Sequence, residues 1–129
     1  MIYGTGIDIV DIPRMRDAID KWGESFLGKV FTKREIDYSS SKRFSPQHFA
    51  ARFAAKEAVI KAFGQPRQHP LRWTDIEVVN DNEGKPVIRF HNDALTLKKK
   101  KKICNAVISM SHTHQYAVAH AILVQKEGS

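Results

Sequence analysis

One stretch constrains this chain more than any other: Arg52-Phe53-Ala54-Ala55-Lys56-Glu57-Ala58-Val59-Ile60-Lys61-Ala62-Phe63-Gly64. Alanine and straight-chain residues dominate it, and these lose little freedom on becoming helical. Gly64 stands where a left-handed C-terminal cap is expected, and Pro66 follows shortly after. On a wheel of roughly 100° per residue, Phe53, Glu57 and Ile60 fall within roughly 60° of one another, with Lys61 about 40° beyond Glu57. Alanines and Val59 fill nearly all the rest, so the helix is apolar almost all round and reads as buried. Such a helix cannot carry a lone charge without a large desolvation cost. Glu57 and Lys61, one turn apart, are therefore either an ordinary pair snorkelling at the helix rim or groups that need a partner, a metal or an anionic ligand.

The rest of the chain places that helix in an α+β fold. Residues 2–9 read as a strand whose Gly4 and Gly6 mark a bulge or a close backbone approach. Asp8 ends it between Ile7 and Ile9, and strict alternation points such a residue toward solvent unless it is a ligand. Asp11 caps a helix over 13–22, and residues 24–31 form a short helix and turn. Thr32-Lys33-Arg34-Glu35 is a capping box opening a helix to about Tyr38. Ser45-Pro46 starts the central helix, which reaches Phe63. Gln65–Arg72 reads as a loop. Residues 73–80 and 85–91 form a hairpin about the turn Asp81-Asn82-Glu83-Gly84. A short helix over 92–101 ends in lysines, and strands over 105–112 and 116–124 close an antiparallel meander. Lys126–Ser129 is a polar tail.

Length bounds the rest: 129 residues suffice for one domain, 1–129, with a real core. No apolar run approaches the ~20 residues of a membrane span, and the N-terminus lacks a signal-peptide pattern. The lone Cys104 excludes an internal disulfide or a multi-cysteine metal site, which fits a reducing cytoplasm. A net charge of +7 favours anionic partners. Lys98–Lys102 tempts a nucleic-acid or membrane reading, but no recognition motif or stacking aromatic accompanies it, so it reads as a solvated face.

Asp8 and Glu57, with neither a cysteine cluster nor a histidine pair, suit a hard cation with oxygen ligands such as Mg²⁺. Lys61 and His112 then suit a polyphosphate. Here a resemblance enters. Ile2-Tyr3-Gly4-Thr5-Gly6-Ile7-Asp8-Ile9 resembles the opening motif of the holo-acyl-carrier-protein synthases, the 4′-phosphopantetheinyl transferases. Phe49–Gly64 resembles their RFAxKEAxxKAxG signature. Asp75-Ile76-Glu77-Val78 with Gly84-Lys85-Pro86 resembles their "DIEV…GKP" hairpin, and Ser109-Met110-Ser111-His112-Thr113 their "SISHt" strand. The match is collinear over essentially the whole chain. It departs at the lysine run and at Met110, where a β-branched residue is usual.

The resemblance implies a single-domain bacterial enzyme in which an antiparallel sheet packs on the long central helix. It implies transfer of 4′-phosphopantetheine from coenzyme A to a serine of apo-acyl carrier protein, releasing adenosine 3′,5′-bisphosphate, in support of fatty acid biosynthesis. It implies Mg²⁺ on Asp8 and Glu57, and Lys61 on the pyrophosphate. Glu57, or a water it holds, would take the serine proton. It implies coenzyme contacts from Arg52, Gly64, Ser111, His112 and Thr113, with Gly84-Lys85-Pro86 near the adenine. Arg52 lies roughly 140° from Glu57 on the wheel, so it is expected to meet the 3′-phosphate across a subunit boundary. A homotrimer with active sites between subunits follows by resemblance, as does docking of the acidic carrier on Arg14, Arg16 and Lys21. The competing classes are a basic binding module using Lys98–Lys102 and another Mg²⁺-dependent nucleotide-cleaving enzyme.

Overall fold

Glycine governs how the first strand meets the central helix. The computed structural model describes residues 1–65 and 71–127. In it β1 (Ile2–Asp11) lies directly on the helix Ser45–Ala62. A Cβ on Gly4 would strike the carbonyl of Ala62, and one on Gly6 the carbonyl of Ala58. A backbone carbonyl cannot swing aside as a side chain can, so only glycine permits this approach. The same packing sets the orientation of Asp8. The glycines occupy the helix-facing positions, Ile7 and Ile9 point away and are 62% and 63% exposed, and Asp8 shares the face of Gly6. Alternation holds, but with the apolar residues on the open side.

α1 (Ile12–Val30) is capped by the Asp11 carboxylate, which accepts from the Arg14 amide at 3.0 Å. It breaks at Gly23 (φ 54°, ψ −133°), the boundary between the two helices expected there. α2 (Lys33–Ser40) opens with the expected capping box, in which Thr32 and Glu35 each bond the other's backbone amide. α3 (Ser45–Ala62) is buried on nearly every face and ends at Gly64 (φ 71°), as the cap pattern predicts. Of the expected loop Gln65–Arg72, residues 66–70 lie outside the described residues, as do residues 128–129 of the expected tail.

The strands divide into two sheets rather than one meander. β2 (Ile76–Asn80) pairs antiparallel with β3 (Pro86–Phe90). Trp73–Asp75 close a 3₁₀ turn, so β2 begins three residues later than expected. α4 (Asn92–Lys100) then carries the chain away, and Lys102 (φ 57°) turns it into β4 (Ile103–His112). β4 and β1 flank β5 (Tyr116–Gln125), both antiparallel to it. On β5, Ala119, Ala121 and Leu123 point inward and share one core with Ala54, Ala58, Val59 and Ala62 of α3. Small side chains on both surfaces let sheet and helix close tightly. The other face of this sheet carries Ile7, Ile9, Val107 and Tyr116 bare to solvent. No described helix is long and apolar enough to cross a membrane.

Candidate functional site

A cleft of about 760 Å³ opens between β1, α1 and α3, lined among others by Asp8, Arg14, Phe53, Glu57, Lys61 and Trp73. The two carboxylates, nearly fifty residues apart in sequence, come to one cleft because the glycines let β1 lie against α3. The Lys61 ammonium donates to Asp8 Oδ1 at 2.9 Å and to the Ile7 carbonyl at 3.1 Å. Its side chain is 53% exposed, so it can turn toward a ligand. Trp73 Nε1 donates to Glu57 Oε1 at 3.0 Å. These bonds use one oxygen of each carboxylate and leave Asp8 Oδ2 and Glu57 Oε2 for a ligand. Among the described residues no group of three or more His, Cys, Asp or Glu side chains forms a closed metal cage. Two carboxylates in an open cleft still fit Mg²⁺, which keeps few protein ligands and completes its octahedron with water and phosphate oxygens.

The ammonium that α3 buries is therefore not that of Lys61, as the helix wheel suggested, but that of Lys56. Its ammonium is fully buried, 2.6 Å from Glu35 Oε1. It also donates to the carbonyls of Ile76 (2.7 Å) and Trp73 (2.9 Å). Burial pulls the Lys56 ammonium below the usual lysine range, and the Glu35 carboxylate opposes that pull. Glu35 Oε2 takes the Val78 amide at 2.8 Å, so the pair locks α2, α3 and β2 together. Through the Trp73 carbonyl it also anchors the residue whose indole holds Glu57.

A second, smaller cleft of about 190 Å³ lies elsewhere on the chain, lined by Tyr38, His48, Arg52, Gly84, Pro86, Ser111 and His112 among others. It shares no lining residue with the first. Arg52 is only 3% exposed. Burial, with the positive fields of Arg52, Lys42 and His112, pushes the His48 imidazole below its ordinary range. Positive charge without a carboxylate among the lining residues suits an anion. Of the expected coenzyme contacts, Arg52, Ser111 and His112 meet here, beside the Gly84-Lys85-Pro86 turn. Thr113 and Gly64 line neither cleft. The Thr113 hydroxyl takes the amides of Gln115 (3.2 Å) and Tyr116 (3.1 Å) in the β4–β5 turn. Gly64 ends α3.

Residues 4–121 match the family model of the 4′-phosphopantetheinyl transferase superfamily. The chain belongs to that superfamily. The holo-[acyl-carrier-protein] synthase of Koribacter versatilis is 46% identical over 123 residues, 95% of this chain and 98% of that protein. Among solved structures, the holo-[acyl-carrier-protein] synthase of Neisseria meningitidis superposes with a TM-score of 0.86 at 30% identity, covering 97% of this chain and all of that one. The Bacillus anthracis synthase, in complex with CoA (3′,5′-ADP), superposes with a TM-score of 0.80 at 31% identity, covering 98% of this chain and 99% of that one.

For this member of the superfamily, sequence reasoning overlooked four residues that support the two clefts: Glu35, Tyr38, Lys56 and Trp73. A signal existed for two of them. Lys56 shares the apolar helix with Glu57, so the requirement for a countercharge applied to it equally. Glu35 was visible as half of a capping box. Nothing local marked Trp73 or Tyr38, whose roles arise only when distant segments meet.

Proposed function

We propose that this chain is a Mg²⁺-dependent holo-acyl-carrier-protein synthase. It moves 4′-phosphopantetheine from coenzyme A to a serine of apo-acyl carrier protein, with release of adenosine 3′,5′-bisphosphate, and so supports fatty acid biosynthesis. The observation that carries this reading is the meeting of Asp8, Glu57 and Lys61 at one cleft, each carboxylate with an oxygen to spare. Asp8 and Glu57 hold the metal, which when bound neutralises charge on the pyrophosphate. Lys61, half exposed, leaves Asp8 to grip the pyrophosphate oxygens. Glu57, oriented by Trp73, receives the serine proton directly or through a water. The serine oxygen bonds to the β-phosphorus as the bond to the bridging oxygen breaks, and that electron pair leaves with the adenosine bisphosphate.

The separation of the two clefts favours a site shared between subunits. One copy offers Asp8, Glu57 and Lys61, and the next offers Arg52, Ser111 and His112 to the nucleotide end of the coenzyme. The bare sheet face with Ile7, Ile9, Val107 and Tyr116 suits burial in a homotrimer. Arg14 lines the first cleft, and the exposed Arg16 and Lys21 lie on the same α1. An acidic carrier docked on these three would bring its serine to the metal. The exposed thiol of Cys104 suits a cytoplasmic setting.

Intact-mass measurement of an apo carrier protein tests the reading. Enzyme, coenzyme A and Mg²⁺ give the phosphopantetheine mass gain, chelation abolishes it and added Mg²⁺ restores it. Asp8→Ala and Glu57→Ala abolish the gain with the circular dichroism unchanged. Transfer that survives both substitutions contradicts the metal assignment. Adenosine bisphosphate formed without any protein mass gain would favour a nucleotide-cleaving enzyme.

A further inference from the structure

Arg52 poses a question that the ion pairs do not answer. It is 97% buried, yet no described carboxylate lies within ion-pair distance of it. Its Nε has no hydrogen-bond partner. A buried guanidinium normally sits on a carboxylate, since an uncompensated buried charge is costly. Here its central carbon stands 4.1 Å from the centroid of the Tyr38 ring. A guanidinium stacked on an aromatic face keeps its planar fork free for a second partner, which an ammonium could not do.

Tyr38 is itself held in place. Its ring meets His48 edge-on at 6.0 Å, and the Lys42 ammonium lies 4.6 Å from the same ring. Burial works to raise the phenol, but the polar Asn80 side chain and the positive charges of Arg52 and Lys42 beside it outweigh that, so the phenol titrates below its ordinary range. Tyr38, Arg52 and Asn80 are also the residues common to two neighbouring hollows: the anion cleft, and a second one bordered by Arg34 and Arg89. The ring is thus a wall that Arg52 leans on, with the anion cleft beside it.

We propose that Tyr38 is a positioning residue for coenzyme recognition: its ring, packed edge-on against His48, backs the Arg52 guanidinium so that its fork meets a phosphate monoester entering the cleft with His48 and His112. This rests on the reading above, in which Arg52 meets the 3′-phosphate of coenzyme A. Removing the ring leaves the charge in place but frees the fork to move, so recognition of that phosphate is lost while the chemistry at the pyrophosphate continues.

The test compares coenzyme A with 3′-dephospho-coenzyme A in steady-state transfer to a carrier protein. Arg52→Ala removes most of the preference for coenzyme A. Tyr38→Leu raises KM for coenzyme A about three- to tenfold, the range of a partly desolvated cation–π contact. It leaves kcat within about twofold, and KM for the dephospho form moves less than KM for coenzyme A. Tyr38→Phe keeps the ring and retains at least half of the preference. This second variant keeps the proposal testable should Tyr38→Leu not fold. A preference lost in Arg52→Ala but intact in Tyr38→Leu, or lost in Tyr38→Phe, overturns the role of the ring and leaves the reading of Arg52 standing. A preference intact in Arg52→Ala overturns both.

Discussion

Replacing Lys56 by methionine probes the junction on which both clefts depend. Methionine fills much of the same volume but supplies no charge and no donor. Three partners lose their donor: Glu35 Oε1 at 2.6 Å, and the carbonyls of Ile76 and Trp73. Breaking one side of a buried ion pair costs about 3–5 kcal/mol. The low end applies here, because Glu35 keeps the amides of Thr32 and Val78 as donors to its two oxygens. At the unfolding entropy of a domain this size, about 3 kcal/mol corresponds to a Tm loss of about 10 °C. Urea unfolding, at one fixed protomer concentration so that assembly does not contribute, measures the cost. Adding Glu35→Gln removes the orphaned charge, so the double variant costs about 1–2 kcal/mol less than the sum of the single variants. A Lys56→Met variant within about 1 kcal/mol of the parent, or strict additivity in the double variant, would refute the argument.

Other consequences follow from the same contacts. Trp73→Phe keeps the ring but removes the donor to Glu57 Oε1, so kcat for transfer falls about tenfold, the worth of a hydrogen bond to a charged group, in a folded protein. Gly6→Ala drives a Cβ into the Ala58 carbonyl and lowers stability by about 3 kcal/mol or more in thermal unfolding. The Glu77 carboxylate, although burial raises it, is held below its ordinary range by the Thr32 hydroxyl and by His91. Its contribution to stability is therefore present above the unfolded carboxylate pKa of about 4.3 and is lost as pH falls through the lower folded value. Glu77→Gln should flatten the stability–pH curve in that acid window. Exchanging the five lysines Lys98–Lys102 for serine leaves mass transfer nearly unchanged, whereas reversing charge at Arg14, Arg16 and Lys21 slows it and weakens its salt dependence.

Much of this was legible in the chain because the relevant signals are local. The capping box at Thr32-Lys33-Arg34-Glu35 follows from two side chains three residues apart, and the helix end at Gly64 and the break at Gly23 from the backbone freedom of glycine. Gly4 and Gly6 were readable as a close approach, although what approached was not. Which side of β1 Asp8 serves was not legible, because period-two reasoning cannot tell which face of a strand is covered; that depends on a helix about fifty residues away. Lys56 was passed over for a related reason. A helix apolar all round has no polar face, so spacing does not say which of its charges finds a partner. Trp73 and Tyr38 gain their roles by contact with Glu57 and Arg52, and no pattern within 73–80 or 33–40 encodes those contacts.

A crystal structure with coenzyme A and Mg²⁺ bound tests the central claim most directly. It should show one ion held by carboxylate oxygens of both Asp8 and Glu57 and touching the pyrophosphate, with the 3′-phosphate on Arg52 of the partner subunit. An ion bound to only one of those carboxylates, or a pyrophosphate seated away from the cleft that holds Lys61, would contradict it.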